Sequence, residues 1–168
     1  NSSTASVSVY IGGKKVGTVG FTGTTLSEQS LEFKMTDVTG KQEIKFLLET
    51  DDNTNDTYVN SYKLYYIPDA PTPEPTAQPT KQPTVEPTPS ASQEPKLVSS
   101  GECSKMTCGG SYAGVAGDKV VLYSNGDYCS TSYEFEGTNK KYRMVVKGAS
   151  SNSSTASVSV YIGGKKVG

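Results

Sequence analysis

Apolar and polar residues alternate along most of the chain with a period of two. Val7, Val9 and Ile11 alternate with serine and tyrosine, and a Gly-Gly-Lys-Lys turn returns the chain into a second run that ends at Phe21. The pattern recurs at residues 31–35, 44–48, 58–67, 120–123, 128–135 and 142–146. This period is typical of strands that bury one face, and no segment shows a sustained helical period. The pattern therefore predicts an all-β fold.

A proline-rich segment, residues 68–98, interrupts the strand pattern. All nine prolines of the chain lie in it, among threonine, glutamate, glutamine and serine. Such a composition cannot bury a core and is typical of an extended, semi-rigid spacer. We therefore predict two β-structured parts, residues 1–67 and 99–168, joined by a Pro/Thr-rich linker.

Residues 1–17 recur without a single change at 152–168. The simplest explanation is a window cut, out of phase, from a tandem array of near-identical domains. Engineered circular permutation with an overlap is the alternative. Either origin makes residues 1–67 the C-terminal part, and 99–168 the N-terminal part, of one module of roughly 120 residues, a typical sandwich size. Short strands between Gly, Asn, Asp and Ser turns predict a jelly-roll-like β-sandwich.

The two copies of the repeated segment compete for one place in the predicted sheet. Copy 1–17 has the advantage that its hairpin continues to Phe21, whereas copy 152–168 follows the preceding strand without a break. The losing copy is expected to dangle or to pair with a neighbouring chain, which would give domain-swapped self-association.

Composition narrows the classes of function. The chain has no His, and its formal net charge is -1. Because His is the commonest general base and transition-metal ligand, its absence argues against zinc and triad hydrolase chemistry. The near-zero charge gives no electrostatic footprint for nucleic acid or an anionic membrane. No apolar run approaches the roughly 20 residues of a membrane span.

Three cysteines, Cys103, Cys108 and Cys129, all lie in the C-terminal part of the chain. Beside a Pro/Thr linker they suggest a secreted protein with one disulfide and one remaining thiol. Cys103–Cys108 is the local candidate pair, and pairing of either residue with Cys129 is equally open at this point.

An acidic segment follows the apolar run at 44–48. Three carboxylates and two carboxamides lie between Asp51 and Asp56, and so many oxygen donors suit calcium, which takes six to eight of them. An EF-hand that starts at Asp51 needs Gly at its sixth position and Glu at its twelfth, where this chain has Asp56 and Tyr62. The segment is therefore not an EF-hand. An Asx-rich turn without a metal is the alternative.

Read from residue 101 to 168 and then from 18 to 67, the chain resembles the family 36 carbohydrate-binding modules. These are calcium-dependent, xylan-binding β-sandwiches that are appended to xylanases. The resemblance is carried by Gly-Gly-Ser-Tyr-Ala-Gly at 109–114, Val-Leu-Tyr-Ser-Asn-Gly-Asp-Tyr at 121–128, Lys-Gly-Ala-Ser-Ser-Asn at 147–152, Lys-Gln-Glu-Ile-Lys at 41–45, and the acidic segment at 51–59. These stretches cover the folded portion in the family's order once the permutation is undone.

The resemblance implies a calcium ion that binds vicinal hydroxyls of xylose directly. It implies Asp51 and Asp56 as carboxylate ligands and the backbone carbonyl of Asn55 as a third ligand. The family has Trp where this chain has Asn55, so an apolar contact beside the ion would be lost. It also implies that Tyr112 and Tyr123 contact the sugar ring by stacking or through their hydroxyls.

The family also has a second, structural calcium site, and at that site this chain departs from the family's pattern. Glu102 matches, but Ser104 and Asn60 stand where the other acids would be. Since affinity follows the charge of the ligands, this site is expected to be severely weakened, with the cysteines stapling this end of the module instead. Asp127 lies in an Asn-Gly-Asp turn and is expected to be a turn residue.

The expected function is that of a secreted, non-catalytic module that holds an appended glycoside hydrolase domain on xylan, or on xylo-oligosaccharides, through Ca²⁺. The alternative is a structural or adhesion repeat of a cell-surface protein that calcium only stiffens. A glycoside hydrolase is a third class, but it needs two acids held roughly 5–10 Å apart across a cleft, and the sequence shows no such pair.

Overall fold

The computed structural model describes residues 4–36, 39–49, 56–69 and 94–151. In these residues the chain forms eleven β-strands, one 3-10 turn and no α-helix. The described residues contain no helix that is long and apolar enough to span a membrane. The strands are β1 (Thr4–Ile11), β2 (Gly13–Thr22), β3 (Ser27–Met35), β4 (Gly40–Leu47), β5 (Thr57–Ile67), β6 (Lys96–Glu102), β7 (Thr107–Gly109), β8 (Gly114–Ala116), β9 (Lys119–Leu122), β10 (Tyr128–Phe135) and β11 (Lys140–Ser150).

The strands form two antiparallel sheets. Sheet A has the order β2-β1-β4-β10-β7, and sheet B has the order β3-β11-β5-β9-β8, with β6 also paired to β5. All the described pairings are antiparallel. The β-sandwich predicted from the alternating pattern is confirmed.

The core lies between the inward faces of the two sheets. Val7, Val9 and Ile11 of β1 are fully buried, as their alternation predicts, and so are Ile44 and Phe46 of β4. Sheet B contributes buried side chains from four strands, β3, β5, β9 and β11, namely Phe33, Met35, Val59, Tyr62, Leu64, Val120, Leu122, Tyr142, Met144 and Val146. The apolar residues of the period-two pattern therefore form one continuous core.

Strand β1 comes from the first copy of the repeated segment. It lies between β2 and β4, with Thr4 opposite Thr22 and Ile11 opposite Ile44. The sequence leaves open which copy takes the place in the sheet; in the structure residues 4–17 of the first copy occupy it, whereas copy 152–168 lies outside the described residues.

The end of β11 nevertheless lies close to the start of β1. The amide of Ser150 donates to the carbonyl of Gly23 at 2.9 Å, and Thr22, the residue before Gly23, pairs with Thr4. Three residues separate Ser151 from Thr155, the second copy's equivalent of Thr4, and an extended chain spans about 3.3 Å per residue. The second copy is therefore long enough to compete for the same place.

The linker joins neighbouring strands. β5 ends at Ile67 and β6 begins at Lys96, and the two strands pair with Tyr66 opposite Lys96. The linker therefore leaves and re-enters the sandwich at one end, called here the linker end. Strand β6 begins three residues before Ser99, the boundary expected from composition.

The three cysteines lie together between β10, β7 and the 3-10 turn. Cys129 is opposite Cys108 in the register, and Cys103 and Cys129 are fully buried as free thiols. A hydrogen bond with Cys103, together with burial, raises the pKa of the Cys129 thiol well above its ordinary value. Burial also raises the pKa of Cys108. Both thiols therefore stay protonated at neutral pH, which suits a structural role better than a reactive one.

Substitutions at equivalent positions of the two copies test which one is in the sheet. Ile11→Ala removes a fully buried side chain and should lower the free energy of unfolding by about 2–5 kcal/mol. Ile162→Ala makes the same change in the second copy and should leave the unfolding free energy unchanged, as measured by urea denaturation. If Ile11→Ala lowers the unfolding free energy by less than this, and the double variant Ile11→Ala/Ile162→Ala lowers it by the full amount, the second copy replaces the first in the sheet of the Ile11→Ala variant. Equal losses in the two single variants would contradict the observed arrangement.

Self-association by strand exchange remains a prediction. Size-exclusion chromatography at several protein concentrations should show a dimer fraction that rises with concentration and disappears when residues 152–168 are deleted. A monomer at every concentration would exclude exchange.

Refolding in a glutathione redox mixture tests the thiol cluster. Because Cys103 and Cys129 contact each other in the core, we expect them to form the disulfide and Cys108 to remain free for iodoacetamide, as read by peptide mass spectrometry. Cys108→Ser should keep this disulfide, whereas Cys129→Ser should lose it. Loss of the disulfide in Cys108→Ser would contradict the expected pairing.

Candidate functional site

One end of sheet B brings together residues that are far apart in the sequence. Thr57 of β5 lies opposite Leu122 of β9 and opposite Ser150 of β11. Continuing these registers by one residue places Asp56 between Tyr123 and Ser151. Tyr112 lies two residues before β8, which pairs with β9, and the amides of Tyr112 and Tyr123 both donate to the Asp127 carboxylate, so that these two residues lie at the same end of the sheet. The row Tyr112, Tyr123, Asp56 and Ser151 is called here the tyrosine end.

Asp56 is held in this row by Ser151. The amide of Ser151 donates to the Asp56 carbonyl at 3.0 Å, and the Ser151 hydroxyl accepts from the Asp56 amide at 3.1 Å. These bonds fix the backbone of Asp56. The carboxylate is held by a further bond, in which its Oδ2 accepts the Tyr58 hydroxyl at 3.0 Å. Asp56 is thus a carboxylate fixed at the surface of the sandwich, as a metal ligand or a sugar contact requires.

Tyr112 and Tyr123 are the exposed aromatic residues of this end. Tyr112 is 68% exposed and Tyr123 is 44% exposed. Among the described residues the largely exposed big apolar side chains are these two, Val115 of β8, and Leu97 of β6. Since exposed apolar side chains that cluster mark contact surfaces, three of them within residues 112–123 indicate a binding surface.

Tyr58 and Lys119 extend the surface below the row. The Lys119 ammonium lies 4.4 Å from the centre of the Tyr58 ring, a cation–π contact. Burial is the main cause that raises the pKa of Tyr58, and the neighbouring Asp56 and Tyr123 raise it further, against a lowering hydrogen bond with Ser151. Tyr58 therefore stays a hydroxyl donor to Asp56 throughout the physiological range of pH.

Asp127 has a larger role in this end than the sequence predicted. It lies in a turn, as expected, with its amide donating to the Ser124 carbonyl at 3.0 Å. Its side chain is also fully buried, and its carboxylate accepts backbone N–H groups from Tyr112, Tyr123 and Ser124. The Ser-Asn-Gly-Asp run signals the turn, but the bond to Tyr112 depends on a strand pairing that local sequence does not encode.

The acidic segment connects sheet A to sheet B at this end. Asp51 and Asn55 lie outside the described residues, so Asp56 is the one residue of the predicted sugar-binding calcium site that the structure describes. The chain entering the segment is fixed at Glu49, whose carboxylate accepts the Tyr10 hydroxyl at 3.1 Å and pairs with Lys15 at 3.3 Å. Both flanks of the segment, Glu49 and Asp56, are therefore anchored.

The residues of the second, weakened calcium site have protein partners. Glu102 pairs with Lys105 at 2.6 Å on the surface. The Asn60 amide group donates to the carboxylate of Asp118 at 2.9 Å and to its carbonyl at 3.1 Å. Asp118 is thus an acid near Asn60 that sequence reasoning did not identify. That this site is weakened remains a prediction.

A calcium ion at the tyrosine end is consistent with the donors there. Among residues 4–36, 39–49, 56–69 and 94–151, no group of three or more His, Cys, Asp or Glu side chains is arranged so that it could hold a metal ion. The one described ligand, Asp56, belongs to a run of carboxylates and carboxamides, and such hard oxygen donors are the ligands that calcium takes. The chemistry of the donors therefore fits calcium better than any softer metal.

A second aromatic surface at the linker end suits a ligand less well. A groove of about 200 Å³ is lined there by Tyr66, Tyr133 and Tyr142 together with lysines. The Tyr142 ring is buried and packs edge-on against Phe135 at 5.3 Å. Burial raises the pKa of Tyr142 to about 12. These rings are largely committed to the core, whereas Tyr112 and Tyr123 are open to solvent.

Comparison with known proteins gives one partial relative. A segment of 74 residues is 43% identical to an arabinoxylan arabinofuranohydrolase of Paenibacillus polymyxa. The match covers 42% of this chain and 11% of that enzyme, so the chain spans about a tenth of the relative's length. No protein-family model matches the chain, and no solved structure matches it. The chain is thus similar to a small part of a larger enzyme.

Proposed function

We propose that this chain is a non-catalytic carbohydrate-binding module that binds xylan at the tyrosine end and is part of a secreted polysaccharide-degrading enzyme. The observation that carries the proposal is that two exposed tyrosines, tied to one buried carboxylate, lie at the same end of sheet B as the fixed carboxylate of Asp56. The partial relative supports the choice of polysaccharide, because it is named for arabinoxylan.

Each part of the row has a separate task in binding. Tyr112 and Tyr123 offer exposed ring faces and hydroxyls, which can pack on the apolar face of a sugar ring and bond its hydroxyls. Asp51, Asn55 and Asp56 would hold Ca²⁺, and bound calcium would supply coordination positions for two adjacent sugar hydroxyls. The Tyr58 hydroxyl and Ser151 keep the Asp56 carboxylate and backbone in place.

A non-catalytic role is part of the proposal, and the short match to the arabinofuranohydrolase, 11% of that enzyme, supports it. Hydrolysis of a glycosidic bond needs a pair of acids that face each other across the bond. Among the described residues of the tyrosine end, Asp56 carries the carboxylate at the surface. The carboxylate of Asp127 is buried and accepts backbone N–H groups. We therefore assign hydrolysis to another domain of the parent enzyme.

The position of the linker supports a tethered module. Both flanks of the linker, Ile67 and Lys96, lie at the end of sheet B opposite Asp56. A module held by that end can present its tyrosine end to a polysaccharide without obstruction from the tether. This arrangement suits the targeting of a glycoside hydrolase.

Affinity electrophoresis in gels containing soluble xylan tests the proposal. The protein should be retarded in the presence of calcium, and both EDTA and Asp56→Ala should abolish the retardation. Tyr112→Ala and Tyr123→Ala should each weaken binding by about 1–2 kcal/mol, the usual cost of truncating an aromatic contact.

Two matched variants serve as controls. Asp69→Ala removes an exposed acid at the linker end, and Tyr65→Ala removes a half-buried tyrosine near the same end of β5, so both variants should bind as the unchanged protein does. Wild-type protein that is not retarded, with Asp56→Ala only lowering the melting temperature in calcium, would overturn the proposal in favour of the calcium-stiffened structural repeat.

A further inference from the structure

A buried carboxylate links the two loops that carry the exposed tyrosines. Asp127 Oδ1 accepts the amide of Tyr112 at 3.0 Å, and Oδ2 accepts the amides of Tyr123 at 2.9 Å and Ser124 at 3.0 Å. The side chain has no exposed surface. Hydrogen bonds to a buried carboxylate are among the strong ones, because both the charge and the low local dielectric strengthen them.

The same turn also holds the chain that leads into the acidic segment. The amide of Leu48 donates to the Asp127 carbonyl at 2.9 Å, and the amide of Gly126 donates to the Leu48 carbonyl at 2.8 Å. Leu48 is followed by Glu49 and then by the acidic segment. The Asp127 turn is therefore bonded to the Tyr112 and Tyr123 loops and to the residue just after β4, from which the chain runs on into the acidic segment.

The loop before Tyr112 is shaped to fit this carboxylate. Gly110 has a φ of +106°, a conformation that side chains rarely adopt, and a Cβ there would overlap Asp127 Oδ1 and the Asp127 backbone. Glycine is thus needed at position 110 so that the backbone can pass close over Asp127 and deliver the Tyr112 amide to it.

We propose that Asp127 is a positioning residue for carbohydrate binding, which fixes the spacing of Tyr112 and Tyr123 without touching the ligand. This inference rests on the proposed function. If the two loops that carry Tyr112 and Tyr123 became ordered only when the sugar binds, their loss of conformational entropy would reduce the affinity. A carboxylate that bonds both loops orders them before the sugar binds. Asp127 therefore acts on affinity through the loop backbone.

The two oxygens of Asp127 give the proposal a specific test. Asparagine has the same shape, but it has one acceptor oxygen and one NH₂ donor. In Asp127→Asn the oxygen is expected to keep the Tyr123 and Ser124 amides, while the NH₂ group faces the Tyr112 amide and cannot accept from it. The Tyr112 loop should be released and the Tyr123 loop retained.

Isothermal titration with a xylo-oligosaccharide in calcium measures the consequence. Asp127→Asn should bind about tenfold more weakly, as Tyr112→Ala does. The control Asp69→Asn makes the same chemical change at an exposed acid at the linker end and should change affinity by less than about twofold. Because Asp127→Asn acts through Tyr112, it should cost nothing further in a Tyr112→Ala background, but it should add to the loss in a Tyr123→Ala background.

A general loss of structure would instead add to the loss in both backgrounds, and that result would overturn the proposal. Wild-type affinity in Asp127→Asn, with Tyr112→Ala weakened, would also overturn it. Wild-type affinity in Tyr112→Ala and Tyr123→Ala would instead overturn the proposed function, so the two failures are distinguishable.

Amide hydrogen exchange in the unchanged protein gives a second measurement that does not depend on the variant folding. The amides of Tyr112, Tyr123 and Ser124 should exchange at least about tenfold more slowly than in an unstructured peptide, although they lie in surface loops. In Asp127→Asn, protection should fall at Tyr112 alone. Exchange of the wild-type Tyr112 amide at the unstructured rate would overturn the proposal.

Discussion

Strand β5 pairs with β11 on one side and with β9 on the other, and these two registers decide which side chains meet at the tyrosine end. Because side chains alternate between the two faces of a strand, a slip of one residue would turn Asp56 inward and expose Thr57. The fully buried side chains of Val59 and Leu64 hold the register by fixing which face is inside. The position of the candidate site thus depends on the packing of the core.

A circular permutation would keep this arrangement, because the strands at its two junctions are neighbours. Tyr66 pairs with Lys96 across the linker, and Ser150 lies beside the strand that contains Thr22 and pairs with β1. The chain can therefore be opened at either place without moving a strand. The same closeness would let the second copy of the repeated segment compete for the place of β1, and such competition between chains is the expected route to self-association.

Much of the fold could be predicted from the period-two pattern, since Val7, Val9, Ile11 and Ile44 are all buried as their alternation requires. The exposed pair Tyr112 and Tyr123 could not be separated from the other tyrosines by pattern alone, because Tyr142 has the same local chemistry and is buried. The resemblance to a binding family selected them. Asp127 was assigned to its turn, but its buried bond to Tyr112 depends on two loops that only the folded sheet brings together.

The central claim, that the ligand binds on the row formed by Tyr112, Tyr123, Asp56 and Ser151, is tested most directly by an NMR titration with a xylo-oligosaccharide in the presence of calcium. The account predicts that the largest amide shift changes fall on these residues and on the flanks of the acidic segment, with the linker end around Tyr66 and Lys96 unchanged. Shift changes centred on the linker end, or spread over the outer face of sheet A, would contradict it.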